Sequence, residues 1–211
     1  MKKKIILGVI ILLILVCGIY ITRNFIILTK IQNNATEYKD INNCHVKIVT
    51  SQNDGTIITA NYYTKDNNKV VFLERKNGES VSKMSIYDNE TTHHTFNEGD
   101  GRKTVNLNAG YINVQVEYGT TTESFVEKVF LSVITKIKIV NENGKKYYSL
   151  RNFKSHNNLY TENQEMLIDS ETGLIYKVID NQATISREYE FNNVDDKVFV
   201  EPNISEYEII K

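Results

Sequence analysis

The chain has no tryptophan, one proline and only two cysteines in 211 residues. Two cysteines cannot make a disulfide framework, which excludes a stapled mini-protein. No proline-rich or low-complexity linker divides the chain. Neither sign of charge dominates: 25 Lys+Arg stand against 26 Asp+Glu, a net charge of −1. That balance excludes a basic nucleic-acid binder. With 41% hydrophobic and 10% aromatic residues, intrinsic disorder is excluded as well. The length suits one domain, or one domain with an appendage.

The appendage is at the N-terminus. Lys2, Lys3 and Lys4 precede an apolar run from Ile5 to Ile21, and Thr22 and Arg23 follow it. Seventeen helical residues cover roughly 26 Å, slightly less than a hydrocarbon core of about 30 Å. A secretory signal has a shorter apolar core and a small-residue cleavage site. Here the only such site is Val16-Cys17-Gly18, and Val16 is too large to precede a lipidated cysteine. A membrane anchor is therefore expected, with cleaved signal peptide and lipoprotein signal as alternatives. Three lysines before the run against one arginine after it place the N-terminus in the cytoplasm. The expected organisation is a cytoplasmic basic end at 1–4, a transmembrane signal-anchor at 5–23 and an extracytoplasmic domain at 24–211. Four of the cationic residues belong to the anchor, so residues 24–211 hold 21 against 26 acidic ones, a net of −5. Cys44 is then the lone cysteine outside the membrane, and burial beside a strand is its expected environment.

Phe25–Asp40 places Ile27, Ile31, Ala35 and Tyr38 at helical spacing, so a helix is expected to leave the membrane. Short strand patterns separated by Asn, Asp and Gly turns follow. They are Val46–Ile48, Thr56–Lys65, Lys69–Lys76, Ser80–Asp88, Thr91–Phe96, Arg102–Leu107 and the alternating Ile112–Tyr118. Thr120–Lys136 breaks the pattern. Phe125, Val126, Val129, Phe130, Val133, Ile134 and Ile137 form a wide apolar stripe on a helix, with Thr120 and Glu123 spaced as a capping box. Strands resume at Lys136–Val140, Lys146–Phe153, Glu165–Asp169, Leu174–Asp180, Thr184–Phe191 and Lys197–Val200. The fold class is mainly β (α+β): about eleven strands, more than a flat sheet holds comfortably, in a strongly curved antiparallel sheet with helices on its concave face.

Catalytic chemistry is hard to find. Ser80-Val81-Ser82-Lys83 matches Ser-x-x-Lys, but a chain with 11 serines and 20 lysines yields such a match by chance. Its partner motifs are missing, and the stretch reads as strand. No phosphate or dinucleotide loop is present. His93 and His94 are strand neighbours pointing to opposite faces, as His45 is beside Cys44, so neither pair chelates one ion. His156 falls in an Asn-rich stretch. The loop Asn97–Gly101 lacks the alternating oxygens of a calcium site, and Asp195-Asp196 has no cleft partner. Thirteen tyrosines, including Tyr62-Tyr63 and Tyr147-Tyr148, suit half-buried sheet positions or the lining of a lipid or sugar site. No metal, no cofactor and no enzyme activity are expected.

The stretch EMLIDSETGLIYKVID, Glu165–Asp180, is the most informative. Asp169 bonds its own turn and Gly173 supplies a positive φ, which makes a hairpin. A hydrophobic strand, then D-x-x-T-G-L, then a strand followed by a tyrosine-rich one, resembles the LolA-like family of lipoprotein carriers. Tyr189–Val194, Phe199 and Pro202–Tyr207 are similar to that family's closing segment, and Tyr63–Glu74 and Met84–Thr92 to its early hairpins. The chain looks like a membrane-anchored relative of the Gram-positive, clostridial kind. The resemblance implies a half-barrel of about eleven strands closed by helices, with an apolar cavity for acyl chains. A tethered domain cannot shuttle between membranes, so the implied function is non-catalytic binding of a lipid or a lipoprotein's acyl chain. Phe125, Val129, Phe130, Val133 and Ile137 would line the cavity. The alternative is an interaction scaffold for a cell-envelope or sporulation enzyme, its cavity filled by its own side chains.

Overall fold

A computed structural model describes residues 2–38, 41–89, 92–107, 124–151 and 164–210. The expected strand Ile112–Tyr118, the capping box Thr120/Glu123, Thr91 and His156 lie outside the described residues. In chain order the elements are helix α1 (Lys2–Thr36) and strands β1 (Asn43–Gln52), β2 (Ile57–Lys65), β3 (Asn68–Asn77), β4 (Ser80–Asp88), β5 (His93–Gly99) and β6 (Arg102–Asn106). Helix α2 (Phe125–Ile134) precedes β7 (Lys136–Glu142), β8 (Lys145–Arg151), β9 (Glu165–Asp169), β10 (Ile175–Ile179) and β11 (Ala183–Phe191). Two short 3-10 turns, Asp196–Phe199 and Ile204–Glu206, lead to β12 (Glu208–Ile210). Among the described residues the chain is mainly β with two α-helices, and it divides into two compact units, residues 1–38 with 117–175 and residues 39–116 with 176–211.

In the first unit, α1 runs without a break through Arg23 and Asn24, so the expected anchor and the expected exit helix are one element. Ile5 to Thr36 is long and apolar enough to cross a membrane. Its two ends differ in what covers them. Side chains from Ile5 to Ile19 are exposed, whereas Asn24, Ile27, Leu28, Ile31 and Ala35 form a buried stripe at helical spacing. That stripe meets the turn after β9. Asp169 Oδ1 accepts from the backbone N–H groups of Glu171 (2.8 Å) and Thr172 (3.1 Å), and Gly173 N donates to Asp169 O (2.9 Å). Gly173 has φ +72°, and a Cβ there would lie 2.3 Å from Ile31 O. The Asn34 side chain closes the contact by donating to Glu171 O at 2.7 Å. The sheet of this unit pairs β7, β8 and β9 antiparallel, with Leu150 and Ile168 fully buried.

Helix α2 is shorter than the expected Thr120–Lys136. Lys136 already belongs to β7, and Thr135, in extended backbone, ends the helix by donating to Leu131 O. Its last carbonyls are met by α1. Asn24 Nδ2 donates to Ser132 O (3.0 Å) and Thr135 O (2.9 Å), Tyr20 Oη to Thr135 O (2.9 Å) and Arg23 Nη1 to Ile137 O (3.3 Å).

In the second unit β1 to β6 form an antiparallel meander, and β11 pairs β1 on its other side with Cys44 opposite Phe191. At the β5–β6 hairpin, Asp100 and Gly101 both have positive φ (50° and 76°), the two-residue turn whose twist matches that of the strands. On one face Tyr63, Phe72, Tyr87 and Phe96 meet edge to face at centroid distances of 5.8, 6.0 and 5.6 Å. Val70, Phe96 and Val105 are the buried centre, over which the C-terminal segment lays Val198, Phe199, Ile204 and Tyr207. Cys44, Val46, Ala60 and Val71 are buried on the opposite face, and burial pushes the Cys44 thiol up.

The expected strand Lys197–Val200 is instead a 3-10 turn, because Asp195 Oδ1 accepts from Lys197 N at 3.0 Å and starts the turn. The sequence patterns also omitted β12. It pairs parallel with β6, Glu208 opposite Thr104, and three residues are too few to show an alternation. Tyr207, just before it, donates its hydroxyl to Glu98 Oε1 at 2.6 Å and stacks edge to face on Phe96 at 5.0 Å.

Two outcomes follow. Gly173→Ala needs a strained φ and a backbone shift on α1, so urea unfolding should show a loss above the ~1 kcal/mol that a positive-φ alanine alone costs. The Tyr207 hydrogen bond holds the Glu98 carboxyl below the usual carboxylate range, and Lys103 adds to this. The same bond pushes Tyr207 up to about 12. The Glu98 contribution is thus present above the ordinary carboxylate range and fades as pH falls. The Tyr207 contribution is complete below the ordinary tyrosine value of about 10 and fades as pH rises towards 12. In Tyr207→Phe, carboxyl NMR should show Glu98 titrating at higher pH than in the parent chain.

Candidate functional site

Strand alternation sets up a hollow on one face of the second unit's sheet. Leu73 pairs Met84, Met84 pairs Asn97 and Asn97 pairs Thr104, while Ile58 pairs Arg75 and Arg75 pairs Ser82. Residues two apart on a strand share a face, so these two rows lie side by side. They line a depression of about 530 Å³. Ile58, Leu73 and Met84 are its apolar lining, exposed Arg75 and Arg102 line it as well, and Lys83, Glu98 and Asp100 complete its charged edge. The size falls within the usual range for small-molecule sites. An apolar lining with guanidinium groups beside it suits an acyl chain that carries an anionic head, since arginine forks match carboxylate and phosphate oxygens.

A second hollow of about 410 Å³ lies on the aromatic face, among Phe72, Tyr87, Phe96, Pro202 and Tyr207. Thr59, Asn61, Glu74 and Ser85 add polar lining that the first hollow lacks, and Lys83 Nζ lies 3.8 Å from Glu74 Oε2.

The residues expected to line an apolar cavity lie on α2 and at the start of β7. Phe125 is 70% exposed, Phe130 58%, Val133 51% and Val129 37%, all on α2, while Ile137 is 4% exposed and belongs to β7. The helix ends before Ile137, which separates that residue from the stripe. The structure joins none of the five to the hollow lined by Ile58, Leu73 and Met84. Its residues come from five strands, β2 to β6, so no single stretch of sequence marks the hollow. The available signal was the two-residue offset Leu73/Arg75 facing Ser82/Met84 across the Asn77-Gly78 turn.

The histidines have separate partners. His93 Nδ1 lies 2.5 Å from Asp88 Oδ1, and His94 Nδ1 lies 2.7 Å from Glu201 Oε2. His45 bridges Glu190 Oε2 and Asn61 Oδ1, both at 3.1 Å, and stacks on Tyr63 at 4.2 Å. Among the described residues no group of three or more His, Cys, Asp or Glu side chains is arranged to hold a metal ion. Ser80 and Lys83, three apart on β4, project to opposite faces.

No protein-family model matches the chain, and no curated protein matches it. Among solved structures it is similar to the crystal structure of a LolA superfamily protein from Nitrosomonas europaea, at 9% identity and a TM-score of 0.29, covering 82% of this chain and 97% of that one.

Proposed function

We propose that this chain is a membrane-tethered, non-catalytic extracytoplasmic domain that holds a lipid or a lipoprotein's acyl chain, as a module of envelope lipoprotein handling. The carrying observation is the hollow of about 530 Å³ with Ile58, Leu73 and Met84 as apolar lining and Arg75 and Arg102 beside them. The apolar helix at the N-terminus supports the tether, and the charges flanking its apolar run put the N-terminus inside and the domain outside. The hairpin Asp169–Gly173 and the closing segment support kinship with LolA-like half-barrels, whose helices pack on the concave face. Arg75 and Arg102 would pair with the head group while the chain lies against the apolar lining.

A second reading, an interaction scaffold for a cell-envelope enzyme, draws on β7. Among the described residues this strand is an edge of its sheet, and it exposes Ile139, which suits strand addition by a protein partner.

Native mass spectrometry of the full chain from a membrane extract tests the first reading. A lipid adduct is expected on the parent chain. Leu73→Arg should reduce the bound fraction about tenfold, equivalent to about 1.4 kcal/mol. Arg75→Ala should weaken anionic lipids selectively. A parent chain that carries no lipid, but captures an envelope protein in equal amount, points to the scaffold.

A further inference from the structure

We propose that α2 is a membrane-surface helix whose exposed apolar face rests in the boundary layer of the bilayer that α1 crosses, with Arg23, Lys128 and Lys136 among the head-group phosphates. This goes beyond the ligand reading, because it assigns the face made by Phe125, Val126, Val129, Phe130 and Val133 to lipid and not to a cavity.

The sequence of α2, FVEKVFLSVI, contains one acidic and one basic residue. At about 100° per residue, Phe125, Val126, Val129, Phe130 and Val133 fall within an arc of about 140°. All five are exposed, with Val126 at 75%. The opposite arc carries Leu131 and Ser132, both buried. The helix is therefore two-faced, and its more apolar face is the one that is exposed among the described residues. Five large apolar side chains together form a patch that a surface in water rarely carries.

The neighbouring element identifies the medium. α1 exposes apolar side chains from Ile5 to Ile19, and Ile26 is exposed one turn beyond Arg23. The bonds that hold the C-terminal end of α2 come from Tyr20 and Asn24, where the apolar run stops, and Arg23 bonds Ile137 O just beyond, on β7. Its N-terminal end meets Phe25, through Phe125 at a ring separation of 5.7 Å and through Lys128 Nζ at 6.0 Å. Both ends of a helix about 15 Å long thus meet α1 within residues 20–25, a rise of about 7.5 Å. So α2 lies across α1 instead of alongside it. Ten residues are also too few to span about 30 Å of hydrocarbon. With α1 crossing the bilayer, α2 lies near the plane of its surface, at the depth where Tyr20 is expected. Arg23 and Lys136 are exposed beside it, and Lys128 lies half-exposed over Phe25, as the cationic flank of an interfacial helix requires.

The absence of tryptophan makes this directly measurable. Phe130→Trp and Phe125→Trp each place a single reporter on the face, and Val81→Trp, on exposed β4, serves as control. The full chains are reconstituted in nanodiscs containing anionic phospholipid brominated in the upper acyl chain. Both α2 reporters should be quenched at least about twofold by brominated lipid and resist aqueous iodide, as for a buried apolar helix face. The control should show the reverse. Iodide quenching of the α2 reporters equal to that of Val81→Trp would overturn the proposal. So would shielding from both quenchers, which would mean that protein or a bound ligand covers the face.

Discussion

The Asn24 carboxamide is the junction on which the first unit depends. It sits fully buried in a stripe otherwise made of Ile27, Leu28, Ile31 and Ala35, and it gives both amide hydrogens to carbonyls at the end of α2. A helix leaves its last carbonyls without intrahelical partners, and a buried unmet acceptor costs about 1–3 kcal/mol. Leucine at this position would pack as well as its neighbours but would take the α1 donor from Ser132 O and leave Thr135 O with Tyr20 Oη alone. The bond therefore sets both where α2 stops and where along α1 it stops. The carboxamide oxygen has no hydrogen-bond partner among the described residues, so the amide hydrogens carry the contact.

The lower part of α1 is held by a different device. Gly173 brings the turn after β9 against the helix backbone so closely that no side chain fits between them. Asn34 ties the turn's carbonyls to the helix. One continuous helix thus carries two kinds of surface. Its first part is apolar on every side and uncovered; its last part has one apolar stripe, and that stripe is filled by protein. The change occurs near Tyr20–Asn24, where α2 is also attached.

The second unit relies on packing of aromatic edges. Tyr63, Phe72, Tyr87 and Phe96 come from four successive strands and meet because the meander keeps them in register. Edge-to-face contacts contribute about 0.5–1.5 kcal/mol each beyond area burial. The C-terminal segment extends this series through Tyr207, whose ring covers Phe96 and whose hydroxyl ends at Glu98. The hollow on the opposite face is lined by polar Arg75 and Ser82 in the row of Ile58, and by Asn97 and Thr104 in the row of Leu73 and Met84.

Local chemistry was readable from sequence. The bounds of Ser80–Asp88 and Glu165–Asp169 agree with the strands observed, and the Asp169 turn forms with the expected aspartate bonds and glycine geometry. Each of these depends on residues within a few positions of one another, so composition and period carry the information. The apolar character of Ile5–Ile21 is equally local. What the sequence could not decide depends on partners far along the chain. β12 exists because β6, a hundred residues earlier, offers an edge. The hollow of Ile58, Leu73 and Met84 arises where five strands align, and α2 presents Phe125 and Phe130 outward because Asn24 claims its other side. Periodicity shows that a helix has an apolar stripe, but only the contacts of tertiary structure decide which stripe is covered.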